Sequence, residues 1–262
     1  MRFDRVLLTG AAGRIGSSLR PALREGLAEL RLSDLAPVAV EAGNEVDVPA
    51  DLRDAAAVER AVDGMEGIVH LGGVPDETDF ETLAGPNLHG AFHLFEAARR
   101  CDVRRVVYAS SNRITGFAPA GERLRGDEAV RPDGLYGATK AYGEALGRMY
   151  ADKFGLEVVC IRIGSFEERP REPRHLNTWL SPGDAARLFT ACLSAPDVGF
   201  ATVYGASANT RGWWDLSPAR ALGYEPRDDA EAFAHELNDA PDGGTDRQGG
   251  HFTEPGYGDW AV

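Results

Sequence analysis

Three glycines, Gly10, Gly13 and Gly16, follow directly on the apolar run Arg5-Val-Leu-Leu-Thr9. The run suits one buried strand and is too short for a helix. Glycines three apart permit a tight strand-to-helix turn, because the backbone reverses where a Cβ would obstruct it. The helix is expected from Gly13 to about Glu25. A strand, a glycine turn and a helix form the first part of a βαβ unit, whose next strand lies parallel to the first. This constrains the rest of the chain more than any other feature.

The same alternation continues. Further strands are expected at Glu29–Ser33, Glu45–Asp47, Gly67–Leu71, Arg104–Ala109, Glu157–Ile163 and near Ala201–Tyr204. Helices are expected at Asp54–Val62, Phe80–Arg100, Gly134–Phe154, Gly183–Ser194 and near Trp214–Leu222. Short strands alternating with helices predict an α/β fold, a Rossmann-like doubly wound parallel sheet covered on both faces. Ligands on such sheets bind beyond the C-terminal strand ends. Asp34, Gly72, Gly73, Ser110, Ser111, Gly164 and Ser165 should therefore converge on one rim. The 262 residues read as one domain, with a small C-terminal substrate cap from about 164–182 and 205–240. Residues 241–262, rich in Gly, Asp and Pro, read as an irregular tail.

The formal net charge is −13, which disfavours nucleic acid and anionic membrane as partners. An anionic substrate would need a local cation supplied by the site itself. No apolar run approaches a membrane span, and the N-terminus leads straight into a strand, so neither a membrane anchor nor a signal peptide is expected. Three widely spaced cysteines, Cys101, Cys160 and Cys192, form no metal-ligand spacing and suit buried thiols in a reducing cytoplasm.

The glycine turn offers backbone N–H groups and a helix N-terminus to a pyrophosphate, through Gly10, Ala12, Gly13, Arg14, Ile15 and Gly16. Asp34 ends the second strand, 18 residues after Gly16. A carboxylate there accepts ribose hydroxyls and repels a 2′-phosphate, and no arginine follows it closely, so NAD is favoured over NADP. Asp51 and Leu52 could flank the adenine, and Asp51 could equally cap the next helix.

The chemistry sits in Tyr136-Gly-Ala-Thr-Lys140. A tyrosine and a lysine four apart share one helix face. A nearby ammonium favours the phenolate, which makes the phenol usable as a base. The chain has 26 arginines and only two lysines, so this pairing is expected by chance about 0.05 times.

Together these residues resemble the short-chain dehydrogenase/reductase superfamily, in its extended branch, over roughly residues 4–165. Further stretches resemble a narrower family, the bacterial uronate dehydrogenases: Val69-His-Leu-Gly-Gly73, Ala109-Ser-Ser-Asn112, Arg131-Pro-Asp-Gly-Leu-Tyr-Gly137, Arg162-Ile-Gly-Ser165, Tyr204-Gly-Ala-Ser-Ala-Asn209 and Gly212-Trp-Trp-Asp215. The resemblance implies NAD-dependent oxidation of cyclic D-galacturonate or D-glucuronate at C1 to the aldarolactone, by a homo-oligomer. It implies Tyr136 as base, Lys140 holding the nicotinamide ribose and Ser111 on the reacting oxygen. It adds Leu71, Gly72, Gly73, Asn87, Ser110 and Ile163 to the cofactor site. Asn112, Arg113 and Ser165 would meet the sugar, and Arg174 its carboxylate, with Arg169 and Arg171 as competitors. Metal has no implied role.

Two positions depart from the family pattern. Pro75 stands where a serine often follows the glycine pair, and Arg113 where a histidine often follows Ser-Ser-Asn. Arg113 would place a second cation near the sugar. His70, His89 and His93 read as structural. A nucleotide-sugar epimerase or dehydratase would use the same Tyr–Lys pair but usually has a larger C-terminal part. A catalytically idle NAD-binding regulator would not need that pair.

Overall fold

The computed structural model describes residues 2–237 and 246–258. Seven parallel strands make the central sheet: β1 (Arg5–Thr9), β2 (Glu29–Ser33), β3 (Glu45–Asp47), β4 (Gly67–His70), β5 (Arg105–Ser111), β6 (Glu157–Ile163) and, later in the chain, β9 (Phe200–Gly205). Their order is β3-β2-β1-β4-β5-β6-β9. The chain winds outward from β1 in one direction and then, from β4, in the other. The crevice where the order reverses is where such sheets bind ligands.

Neighbouring strand residues face opposite layers. Leu8, Val69, Val107 and Val159 pack with Leu19 and Leu23 of α1 (Arg14–Leu23) and Leu188 and Phe189 of α7 (Pro182–Ser194). Leu7, Ile68, Val106 and Val158 pack on the other face, with Val58 of α2 (Ala55–Val62), Leu94 of α4 (Gly90–Arg100) and Tyr150 of α5 (Leu135–Phe154). Both faces are buried, so the strands read as continuous apolar runs rather than alternating ones.

Several boundaries differ from the sequence reading. β4 stops at His70. β5 runs on through Ser110 and Ser111, because its ladder with β6 continues to the Ser111–Ile163 pair. The Phe80–Arg100 helix opens with α3 (Phe80–Leu83), then passes through a π-helical turn over Ala84–His89 before α4. Such wide turns often mark functional sites. The 164–181 loop holds β7 (Ser165–Phe166), α6 (His175–Thr178) and β8 (Trp179–Leu180), with β7 and β8 paired in parallel. The helix expected from Trp214 is only α8 (Ser217–Ala221), which Pro218 helps to start. Near the end of the 205–240 stretch lies α9 (Ala234–Leu237). Residues 246–258 contain one 3-10 turn, Gly250–Thr253, and pack back onto the rim. The rest of the expected tail lies outside the described residues.

Candidate active site

One cleft of about 1320 Å³ lies along the C-terminal strand ends. All seven rim residues expected from the strand ends line it.

At one end is the glycine turn. Gly10 has φ +68°, and a Cβ there would sit 2.8 Å from the carbonyl carbon of Leu71. A Cβ on Gly16 would lie 2.2 Å from the Gly10 carbonyl oxygen, so the helix can start this close to the strand only with glycine. Helix α1 opens after Gly13 with no side-chain cap. The N–H groups of Arg14, Ile15 and Gly16 thus have no intrahelical acceptor and border the cleft, as a pyrophosphate requires. Ala12 does not line the cleft. Its N–H donates to Asp34 Oδ2 at 2.9 Å, while Leu35 N–H donates to Oδ1 at 2.7 Å. These bonds fix the Asp34 carboxylate at the cleft edge. Asp51 accepts the Arg53 guanidinium at 2.6 Å, and Arg14 pairs with Glu167 at 3.1 Å, so both arginines at this end are neutralised. Asp51 does not cap α2; Asp54 does, accepting from Ala56 and Ala57. Leu52, Leu71, Gly72, Gly73 and Ile163 also line the cleft. This combination fits a dinucleotide without a 2′-phosphate.

Asn87 is placed differently from the expectation. It stands in the π-helical turn, away from the cleft lining, and its side chain is fully engaged. It accepts from Val74 N–H at 2.8 Å and donates to the Val74 carbonyl and the Thr139 hydroxyl, both at 3.1 Å. It pins the segment after Gly73 to α5.

Tyr136 and Lys140 stand on the first turns of α5 and are 8 % and 6 % exposed. Lys140 Nζ donates to the Ala109 carbonyl at 3.0 Å and lies 5.6 Å from the Tyr136 ring centre. Burial pushes the phenol up to about 12, an effect the Ser111 hydroxyl and the Arg113 guanidinium partly offset. Burial also brings Lys140 down to about 8. Desolvation therefore sets the phenol, and the groups that favour its ionised form are Ser111 and Arg113 rather than the lysine expected from the spacing. The adjacent serines separate cleanly. The Ser111 hydroxyl faces Tyr136 closely enough to favour its phenolate, and it caps the turn at Asn112 by accepting from Arg113 N–H at 3.2 Å. Ser110 borders the cleft, but its hydroxyl turns to Glu144 at 2.6 Å. Glu144 in turn pairs with Arg162 at 2.9 Å in a buried network.

At the other end, pairing of β7 with β8 folds the 164–181 segment over the rim. Arg174 is 8 % exposed and lines the cleft. Its Nε donates to the Gln248 carbonyl at 2.7 Å and its Nη1 to Ser165 Oγ at 3.3 Å. Its Nη2 is buried without a partner, and no carboxylate comes within 4.0 Å among the described residues. Burial lowers its pKa to about 10. Of its competitors, Arg169 pairs with Glu236 at 2.6 Å and Arg171 with Glu167 at 3.1 Å, both exposed. Asn112 lines the cleft beside this end.

Arg113 is not a free cation. It pairs with Asp133, with Glu77 at 2.9 Å and with Asp76 at 3.6 Å. Its guanidinium also lies 3.9 Å over the Phe252 ring. Three carboxylates neutralise it, whereas Arg174 has no carboxylate within 4.0 Å among the described residues and keeps Nη2 without a partner. The sequence reading missed His251 and Phe252, which line the cleft from the far end of the chain. Their segment is short and lacks periodicity, so no pattern singles it out.

Comparison with known proteins agrees with this geometry. The model of the NAD dependent epimerase/dehydratase family matches residues 6–199. The chain is similar to a uronate dehydrogenase of Pseudomonas putida, with 45% identity over 97% of each chain. It also superposes on a glucuronic acid dehydrogenase from Chromohalobacter salexigens, with TM-score 0.93, 40% identity and coverage of 99% of this chain and 100% of that one. A mutant uronate dehydrogenase from Agrobacterium tumefaciens complexed with NAD gives TM-score 0.91 and 45% identity, covering 95% and 97% of the two chains. The chain belongs to the NAD dependent epimerase/dehydratase family and, within it, to the uronate dehydrogenases.

Proposed function

We propose that this protein oxidises a cyclic hexuronate at C1 to its aldarolactone with NAD. The observation that carries the reading is Arg174, a buried guanidinium with no carboxylate partner among the described residues, in the same cleft as Tyr136, Lys140 and Ser111. Its fork can take a carboxylate in a bidentate grip, which orients the sugar as well as binding it. NAD, when bound, supplies the hydride acceptor. The α1 amides and Asp34 would hold its pyrophosphate and adenosine ribose, and Lys140 its nicotinamide ribose.

Ser111 holds the C1 oxygen, and Tyr136 takes the hydroxyl proton. A phenol pushed up to about 12 by burial is a strong base once ionised, and the Ser111 hydroxyl and the Arg113 guanidinium favour that ionised form. Asn112 and Ser165 meet sugar hydroxyls. Exclusion of water by the buried walls strengthens each of these interactions.

Following NADH absorbance after mixing the protein with NAD and galacturonate or glucuronate tests this reading. NADH should accumulate; its absence in a sample that demonstrably binds NAD would sink it. Buried or half-buried free cysteines support a reducing cytoplasmic location. Exposed Phe92, Tyr142 and Met149 on α4 and α5 support a homo-oligomer, which light scattering can test.

A further inference from the structure

The Gly212-Trp-Trp-Asp215 stretch takes no part in the chemistry above, and neither does the segment after residue 245. The two meet at Gln248, which is 2 % exposed. Gln248 Nε2 donates to the carbonyls of Pro119 at 3.2 Å and Glu122 at 2.7 Å. Its Oε1 accepts the Trp214 indole N–H at 2.8 Å. Its backbone N–H donates to Ala118 at 2.9 Å, and its carbonyl accepts Arg174 Nε at 2.7 Å. Every hydrogen-bonding group of this glutamine is therefore engaged.

Trp214 is itself fixed. Its ring stacks on Tyr204 at 4.7 Å, and the Tyr204 hydroxyl bonds Glu128 at 2.7 Å and Thr115 at 2.9 Å. Just beyond Gln248, Gly250 has φ +59°, and a Cβ there would come within 2.8 Å of Arg174 Cδ. The guanidinium thus lies against bare backbone and is tethered at Nε by a carbonyl that cannot drift. A bidentate grip on a carboxylate needs such fixed geometry, since planar forks tolerate little misplacement.

We propose that Gln248, held by Trp214, is the positioning residue that orients Arg174 toward the substrate carboxylate, and that it thereby sets the preference for a sugar acid over the neutral sugar. This rests on the reading of Arg174 as the carboxylate partner. Truncating Gln248 keeps its backbone carbonyl but removes the three side-chain bonds that hold the carbonyl in place.

Steady-state kinetics with galacturonate and galactose, on Arg174→Ala, Gln248→Ala, Gln248→Glu and Trp214→Phe, separate the possibilities. Gln248→Ala and Trp214→Phe should raise the galacturonate KM by tenfold or more, toward the roughly 100-fold that an ångström of misplacement can cost. The ratio of kcat/KM for galacturonate to that for galactose should fall with it, while NAD affinity measured by titration holds. Gln248→Glu keeps the acceptor for Trp214 but sets a buried carboxylate against the Pro119 and Glu122 carbonyls, so it should lose at least as much as Gln248→Ala. Trp214→Phe preserves the stacking on Tyr204, which guards against simple misfolding. A raised KM in Arg174→Ala alone, with both other sites neutral, overturns the positioning role and leaves Arg174 in place. Parallel loss of NAD affinity and of turnover of both sugars also overturns it, in favour of a merely structural role. An unaltered KM in Arg174→Ala overturns the reading of Arg174, and this inference with it.

Discussion

At the scale of single residues, Tyr136 is the group whose environment most affects chemistry. It is buried, its ionised form is favoured by Ser111 and Arg113, and Lys140 Nζ lies 5.6 Å from its ring centre. Tyr136→Phe should remove turnover and leave NAD affinity intact, as judged by NADH production and a binding titration; a kcat near that of the parent would exclude it as the base. Asp34 is the matching test at the other end of the cleft. Its carboxylate is oriented by two backbone N–H groups and has no arginine partner among the described residues. Asp34→Ala should weaken NAD and relax the discrimination against NADP, measured as the ratio of the two kcat/KM values. An unchanged ratio would remove Asp34 from the site. That Tyr136, Lys140 and Asp34 border one cleft was legible in sequence, because each position follows from local spacing and the strand ends. The state of Tyr136 was not. Spacing conveys the lysine four residues on, whereas the desolvation that dominates its pKa comes from the whole folded wall.

At the scale of elements, the N-terminus of α5 carries the site. Its N-cap, Gly134, supplies no side chain, and Tyr136 N–H donates instead to Glu77 at 3.2 Å. The same carboxylate holds Arg113. Glu77→Ala should therefore strand the Tyr136 N–H and take one of three carboxylates from Arg113, which keeps Asp133 and Asp76. The first alone is worth about 1–3 kcal/mol of stability, read as a shift in urea midpoint. An unaffected midpoint would show that the cap and the ion pair contribute nothing net. No sequence rule reveals this cap, because Glu77 lies far from α5 in the chain. The fate of Arg113 was hidden for the same reason: its partners Glu77, Asp133 and Phe252 come from three separate segments. The regular parts were different. The strands of the central sheet and the major helices follow from runs of apolar residues and glycine turns, and their boundaries moved by only a few positions. The short β7–α6–β8 unit was not foreseen, since elements of two to four residues have no period to read.

At the scale of the whole molecule, buried titratable groups set how stability follows pH. Burial holds His70 down to about 3 against an ordinary 6.5, so it stays neutral in the fold where the unfolded chain takes a proton. Its contribution is full above pH 6.5 and is lost as the pH falls toward 3. Asp133 runs the other way. Burial lifts it to about 6 from 3.8, so its contribution is present below 3.8 and is lost as the pH rises through 6. Glu45, paired with Arg20 at 2.6 Å, is held down to about 2, so its contribution is full above 4.5 and is lost as the pH falls toward 2. One unopposed proton changes stability by about 1.4 kcal/mol per pH unit. His70 and Asp133 oppose each other between pH 6 and 4.5, so urea midpoints should be nearly level there and drop steeply below. A steady fall through that window would mean that Asp133 does not keep its proton in the fold.

The path of the chain to Gln248 has a consequence for how the protein comes to exist in the cell. The glycine turn, Asp34 and the β1–β4 crevice leave the ribosome early, and the β5–α5 segment with Tyr136 and Lys140 follows. The residues that brace Arg174 emerge long afterwards. During synthesis the molecule therefore acquires first the surface that holds a nucleotide, next the groups that move a proton, and only at the end the means of telling an acid from its neutral counterpart.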